Sequence, residues 1–200
     1  MRNRLTLTAA ALLAAAALCG CQTAPVAPAP APALAWTVRR PMLQALARFD
    51  LDGRVAVAVG KQGFDAGLRW SQVGAMASLT LSGPLGAGGV KVTEREGSLR
   101  VITSSGQHLG NAAARAELLE KLGFEPPITS LRYWMLGVPD PATSAQVTLG
   151  SEQRAQIIEQ SGWRIEYRSY MPVGADWLPR FLTLRHSGVR VRMLVDQWQL

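Results

Sequence analysis

Thiols, imidazoles and charge are all scarce in this chain. Its 200 residues include two cysteines and two histidines, and only 18% are Asp, Glu, Lys or Arg. Both cysteines, Cys19 and Cys21, lie near the start, so no disulfide framework and no cysteine-ligated metal is available to the rest of the chain. His108 and His186 have no neighbours at metal-ligand spacing. G-x-S-x-G, H-E-x-x-H and a Gly-rich phosphate loop are all missing, and Ser104-Ser105-Gly106 reads as a turn. No catalytic residue, no metal ligand and no enzymatic activity are expected. The 21 basic residues outnumber 14 acidic ones, but they are dispersed, which argues against nucleic acid as a partner. Beyond the first residues no apolar run is long enough to cross a bilayer.

The N-terminus carries the first positive signal. Met-Arg-Asn-Arg is followed by an apolar run from Leu5 to Leu18 and then by Leu18-Cys19-Gly20-Cys21. A charged n-region and a short apolar h-region make a secretory signal, too short for a transmembrane helix. An apolar residue three before a cysteine and a small residue directly before it mark a lipoprotein signal. Residues 1–20 are therefore expected to be cleaved. Cys21 is then the lipidation site, carrying a covalent diacylglycerol and an N-acyl chain, and no other cofactor is expected. Two or three acyl chains make a stable anchor where one is marginal. Losing Arg2 and Arg4 leaves 19 basic against 14 acidic side chains. That balance fits work beside anionic lipid and fits equally a merely solvated surface.

Residues 22–35 are almost all Ala and Pro. Such a stretch is extended, at about 3.1 Å per residue, so residues 21–35 read as a lipidated tether roughly 40 Å long. The folded domain then spans residues 36–200. A helix is expected over 37–48, with Val38, Met42, Ala45, Leu46 and Phe49 on its apolar face. From Val55 onward the period becomes two: Val55, Val57 and Val59; Ala66, Leu68 and Trp70; Leu79 and Leu81; Val90 and Val92; Leu99 and Val101. Asn111 is expected to cap a helix ending at Gly123, with Leu118, Leu119 and Leu122 on one side. Ser130 opens a second helix carrying Leu131, Trp134 and Met135. Strands resume with Ala155, Ile157 and Glu159 in one phase, then Trp163, Ile165 and Tyr167, then Leu182 and Leu184, then Val189 to Val195. The expected fold is mainly β with short helices. About ten antiparallel strands form a single curved sheet, an incomplete β-barrel whose apolar cavity is covered by the helices.

Two features leave the function open at this level. Ser82-Gly83-Pro84-Leu85-Gly86-Ala87-Gly88-Gly89 joins two strands, and its Leu85 is out of character for a turn tip. Leu85 either folds back into the core or reaches a membrane. The six tryptophans, Trp36, Trp70, Trp134, Trp163, Trp177 and Trp198, either fill a core or line an apolar pocket. A lipoprotein binding some other hydrophobic ligand, or a structural envelope lipoprotein, would satisfy the same composition.

Specific residues narrow the choice. Phe49-x-Leu51-x-Gly53-Arg54-Val55-Ala56, Leu68-x-Trp70, and Leu79-x-Leu81-x-Gly83-Pro84-Leu85-Gly86 follow one another. Then come Leu131-Arg132-Tyr133-Trp134-Met135-Leu136-Gly137-x-Pro139, Gly162-Trp163-x-Ile165-x-Tyr167, Leu178-Pro179-Arg180 and Trp198. In this order, behind a lipoprotein signal, they resemble the LolB family of outer-membrane lipoprotein receptors. The chain departs in the number of glycines after Leu85 and in its Ala/Pro tether. The resemblance implies a monomer lipid-anchored on the periplasmic face of the outer membrane, with Gln22 behind Cys21 fitting that destination. It implies three partners: a LolA-like periplasmic lipoprotein carrier, client lipoproteins and outer-membrane lipid. It assigns Gly83, Pro84, Leu85 and Gly86 to a membrane-insertion loop, and Trp70, Leu79, Leu81, Trp134, Trp163 and Tyr167 to the lining of an acyl-binding cavity. Arg54 is expected near the cavity mouth or the helices.

Overall fold

A computed structural model describes residues 34–83 and 89–200. Cys21, the Ala/Pro stretch and Pro84, Leu85 and Gly86 lie outside those residues. Where apolar and polar residues alternate, strands form, and each pairs with the next through a short turn. In chain order they are β1 (Arg48–Val59), β2 (Gln62–Val73), β3 (Met76–Ser82), β4 (Val90–Arg95), β5 (Ser98–Ile102) and β6 (His108–Gly110). After two helices come β7 (Ala145–Leu149), β8 (Ala155–Gln160), β9 (Trp163–Val173), β10 (Asp176–His186) and β11 (Val189–Gln199). All belong to one antiparallel sheet of 11 strands in the order β6-β5-β4-β3-β2-β1-β11-β10-β9-β8-β7. The last strand closes back on the first, and the sheet ends at β6 and β7. Those two edges do not pair, so the barrel is incomplete. Their three and five residues are short, which limits the unpaired backbone an edge exposes.

One face of the sheet is apolar throughout. Val55 and Val57, Leu68 and Trp70, Val92, Leu182 and Leu184, and Val191, Met193 and Val195 are all buried on it. Three helices, among the described residues, cover that face: α1 (Trp36–Gln44), α2 (Asn111–Leu122) and α3 (Ile128–Met135). α2 packs on β5 and β6, while α3 lies over β3 and hydrogen-bonds across to β8 and β9. α2 stops where Gly123 adopts φ 77° and its N–H reaches the Leu119 carbonyl at 2.9 Å, a left-handed cap that suits glycine.

Several expectations are corrected. α1 ends at Gln44, four residues early, because Arg48 already belongs to β1. Its buried face is Arg39 and Leu43, while Val38 and Met42 are 49% and 58% exposed. The cause is Arg39, whose Nε donates to Asp176 at 3.0 Å and whose Nη2 donates to the Trp177 carbonyl, turning that side of the helix inward. Asn111 does not cap α2. It is the first helical residue, at φ 43°, and its Oδ1 accepts the Leu99 N–H at 3.2 Å. Leu119 is 56% exposed and leaves the buried side to Ala114 and Leu118. α3 begins at Ile128 rather than Ser130, whose hydroxyl donates to Asp140 at 2.7 Å. β8 buries Ala155, Ile158 and Gln160, not one phase through Ala155, Ile157 and Glu159. The β7 pairing jumps from Ile157 to Ala155 between Thr148 and Leu149, and such a bulge inverts the alternation.

Candidate functional site

The concave face is not filled evenly. A cavity of about 70 Å³ lies between the sheet and the segment from α2 to α3. Its floor is built by inward residues of seven strands: Val55 and Val57, Phe64 and Leu68, Leu79 and Leu81, Val92, Trp163, Leu184, and Val191 and Met193. Leu118 and Leu122 of α2, Leu131 of α3, and Phe124, Pro126 and Pro127 between them form the roof. Every lining residue is apolar. The Pro126-Pro127 break matters here. It cannot continue a helix, so the chain crosses the cavity as an irregular apolar strap instead of a covered turn of backbone. On its outer side Arg115 of α2 holds Glu125 of that strap in an exposed ion pair.

Of the residues assigned from the sequence to the cavity wall, Leu79, Leu81 and Trp163 line it. Trp163 stands at one side, 5.9 Å from the Phe124 ring and 6.0 Å from Trp134. His186 stacks on its outer side at 5.0 Å. Trp70, Trp134 and Tyr167 are not on the wall, and their assignment is corrected. Each is buried, and each uses its polar tip in the solid part of the core. Trp70 Nε1 donates to Gln72 at 3.1 Å, and Gln72 in turn donates to the Gly74 carbonyl at 2.9 Å. Trp134 Nε1 donates to Gln160 Oε1 at 2.8 Å. The Tyr167 hydroxyl donates to the Trp134 carbonyl at 2.8 Å, and burial raises its pKa well above the ordinary value for tyrosine, so it stays a neutral donor. Gln160 is the residue that sequence reasoning missed. It also accepts the Asp140 N–H at 2.9 Å and donates to the Asp140 and Thr143 carbonyls at 2.7 and 2.9 Å. Its placement on the polar phase of a bulged strand hid it.

Arg54 is also elsewhere than expected. It sits on the outer face of the sheet, 66% exposed, and holds Asp196 through two hydrogen bonds of 2.9 and 3.2 Å. A bulge explains the pair: between Asp52 and Gly53 the β11 register skips Asp196, which turns out toward Arg54. Gly53 is required there, since a Cβ would come within 2.3 Å of the Leu194 carbonyl. Gly83 ends the described part of its loop, half-buried beside Arg54 and Arg192. No group of three or more His, Cys, Asp or Glu that could hold a metal ion occurs among the described residues. None of their helices is long and apolar enough to cross a membrane.

Comparison with known proteins agrees with this architecture. The family model described as Outer membrane lipoprotein LolB matches residues 47–198. Outer-membrane lipoprotein LolB of Pseudomonas aeruginosa PAO1 is 30% identical over 199 residues, covering 100% of this chain and 97% of that protein. The protein of the same name from Pseudomonas paraeruginosa is 31% identical over 200 residues, with the same coverage. Among solved structures, a LolA superfamily protein from Nitrosomonas europaea superposes with a TM-score of 0.54 at 10% identity, covering 84% of this chain and 94% of that one. A DUF1329 family protein from Desulfovibrio piger also reaches 0.54, at 6% identity, over 82% and 90% of the two chains. These structural likenesses concern the fold alone.

Proposed function

The chain belongs to the LolB family, and on that premise we propose that its wholly apolar cavity takes the acyl chains of lipoproteins in transit. It is an outer-membrane lipoprotein receptor, lipid-anchored at that membrane, of a family that binds and transports lipoproteins by physical transfer. Its partners are a LolA-type carrier and lipoproteins. The observation that carries the acyl-binding reading is the lining. A pocket for a polar ligand needs a few convergent polar groups, and this one has none.

The cavity must widen to work. An apolar cavity of about 150 Å³ holds benzene, and this one measures about 70 Å³. The roof is what can move. α2 buries only Ala114 and Leu118 fully, and the strap after it is irregular. An entering acyl chain covers the apolar surface that parting the roof from the sheet would otherwise expose to water, at about 0.8 kcal/mol per methylene-sized group kept dry. Acyl chains then pass between two apolar linings without a free state in water. Residues 1–20 are cleaved, Cys21 carries the anchoring acyl chains, and residues 21–35 tether the domain that starts at Trp36. The Gly83-Pro84-Leu85-Gly86 loop brings the loaded cavity to the bilayer. A single leucine contributes about 1.5–3 kcal/mol on burial, enough to steer a tethered protein. The receptor acts as a monomer and needs no cofactor beyond its own acyl chains.

Transfer tests this. A periplasmic carrier is loaded with a triacylated lipoprotein, and the chain from Gln22 onward, without signal or anchor, is added as acceptor. Cargo is followed by pull-down and by delivery to liposomes. Leu81→Trp, which fills the cavity, is expected to lose capture. Leu85→Glu is expected to capture cargo and fail to deliver it. No capture by the unsubstituted cavity would sink the acyl-binding reading.

A further inference from the structure

The outer face of the sheet, opposite the cavity, holds an arrangement that folding alone does not favour. Arg164 of β9, Arg185 of β10 and Arg190 of β11 stand directly opposite one another across three neighbouring strands. Like charges in cross-strand pairs repel. Arg164 is neutralised by Glu159 and by Glu166 at 3.0 Å. Arg185 reaches only Glu166, at 4.0 Å. Arg190 and Arg192, two residues apart on the same exposed face, make no ion pair among the described residues.

The next strands leave room beside these two arginines. Ala58 and Ala56 of β1 are their cross-strand partners, and Gly63 faces Ala58 from β2. With such small residues on the floor, a recess of about 150 Å³ opens between Arg190, Arg192 and Asp65. It leads toward a shallow groove of about 550 Å³ that includes Arg54, Arg192, Phe181 and Gly83. Asp65, the carboxylate present in both, forms no ion pair with either arginine. The groove thus runs from a pair of uncompensated guanidinium groups to the root of the loop ending in Gly83.

We propose that this face, centred on Arg190 and Arg192, binds the anionic headgroups of the membrane surface and lays the β10–β11–β1 side of the sheet against the lipid. The proposal rests on the receptor reading above, because it takes the facing surface to be the membrane that the receptor serves. Guanidinium forks bind phosphate oxygens in pairs, and small residues beside them let a headgroup approach the backbone. The groove's continuity with Gly83 sets the headgroup contact beside the last described residue before the loop. A face that binds phosphodiesters would keep its arginines uncompensated despite their mutual repulsion, as observed.

The test is co-sedimentation of the chain from Gln22 onward, which lacks both the apolar signal and the acyl anchor that would mask a weak contact, with vesicles of phosphatidylcholine alone or with phosphatidylglycerol. Arg190→Gln with Arg192→Gln is compared with the charge-matched pair Arg95→Gln with Arg100→Gln on β4 and β5. Near an anionic surface each arginine is worth roughly fivefold, so the first pair is expected to weaken binding to phosphatidylglycerol vesicles about thirtyfold. The control pair is expected to change it much less. The thermal midpoint of the first pair should hold or rise, since repulsion is relieved, whereas a structural role would lower it. Equal loss in both pairs, or no loss in the first, overturns the proposal. So does unchanged vesicle binding with cargo uptake from the carrier abolished, which would make the face a protein-docking surface. Cargo capture is read separately, so a failure of the cavity reading leaves the vesicle result interpretable.

Discussion

The two halves of the concave face are built by the same strands and by different rules. Around Phe49, Trp70 and Trp198 the core is solid and polar-tipped. Phe49 packs on both indoles, with ring centroids 6.2 and 5.5 Å away, and Trp198 Nε1 donates to the Pro179 carbonyl at 3.0 Å. Trp134, Gln160, Asp140 and Tyr167 form a second, separate network at α3. Toward Val55, Val57, Phe64 and Met193 the same face becomes a hollow with no polar group on its wall. The β1–β11 bulge at Gly53 lies between the two. Hydrogen-bonded aromatic tips specify a single arrangement, whereas leucine, valine and proline surfaces have no directional partners and can separate and close again. One half holds the fold while the other changes volume.

Trp134→Ala should break the comparison most strongly. It removes a fully buried indole and leaves Gln160 Oε1 with one donor fewer. The expected loss is about 3–5 kcal/mol, read as a fall in the urea midpoint at constant slope. Gln160→Leu should follow. It keeps the volume but strands the Trp134 and Asp140 N–H groups, at about 1–3 kcal/mol for each buried donor. If Gln160→Leu proves neutral, the network is not what distinguishes this half, and the contrast reduces to packing.

Leu122→Ala, in the cavity roof, should cost less, about 1–2 kcal/mol. The side chain is only partly buried and already faces a void, so little new cavity is created relative to a close-packed site. Its functional effect should run the other way: a looser roof accepts cargo faster in the carrier assay. Equal destabilisation by Leu122→Ala and Trp134→Ala would mean that the hollow is as tightly specified as the network.

Most of the architecture was legible because period two survives in the strands. Val55 and Val57, Trp163, Ile165 and Tyr167, and Val189 to Val195 all bury the phase expected. The misses have particular causes. The α1 face escapes periodicity because Arg39 counts as polar until its partner Asp176, 137 positions away, is known. The β8 phase departs from simple alternation because a bulge inverts it with no Gly or Pro inside the strand to mark it. The roof residues Phe124, Pro126 and Pro127 fall between the two expected helices, where no period tells which way a side chain faces. Alternation puts Trp70 and Tyr167 on the inner face, where both are buried, but it says nothing about position along a strand. That position comes from register. Leu51 stands opposite both Trp70 and Trp198, which puts Trp70 in the solid half, beyond the bulge from the cavity.

The smallest effect at neutral pH, and the sharpest on the comparison, belongs to Tyr167→Phe. Losing its hydrogen bond to Trp134 should cost about 1 kcal/mol at pH 7. At high pH the ranking reverses. In the unfolded chain a phenol ionises near 10, while burial holds the folded Tyr167 well above that, and Tyr170 likewise. Between those values the unfolded state has lost a proton that the folded state keeps. Stability that is intact below pH 10 therefore falls as pH rises, by up to about 1.4 kcal/mol per pH unit for each such group. Urea midpoints from pH 8 to pH 11 should decline less steeply for Tyr167→Phe than for the unsubstituted chain. Leu122→Ala should keep the full decline, because no titratable residue lines the hollow. A decline left unchanged by Tyr167→Phe would assign the alkaline sensitivity to Tyr170, and the tie between α3 and β9 would then contribute through its packing alone.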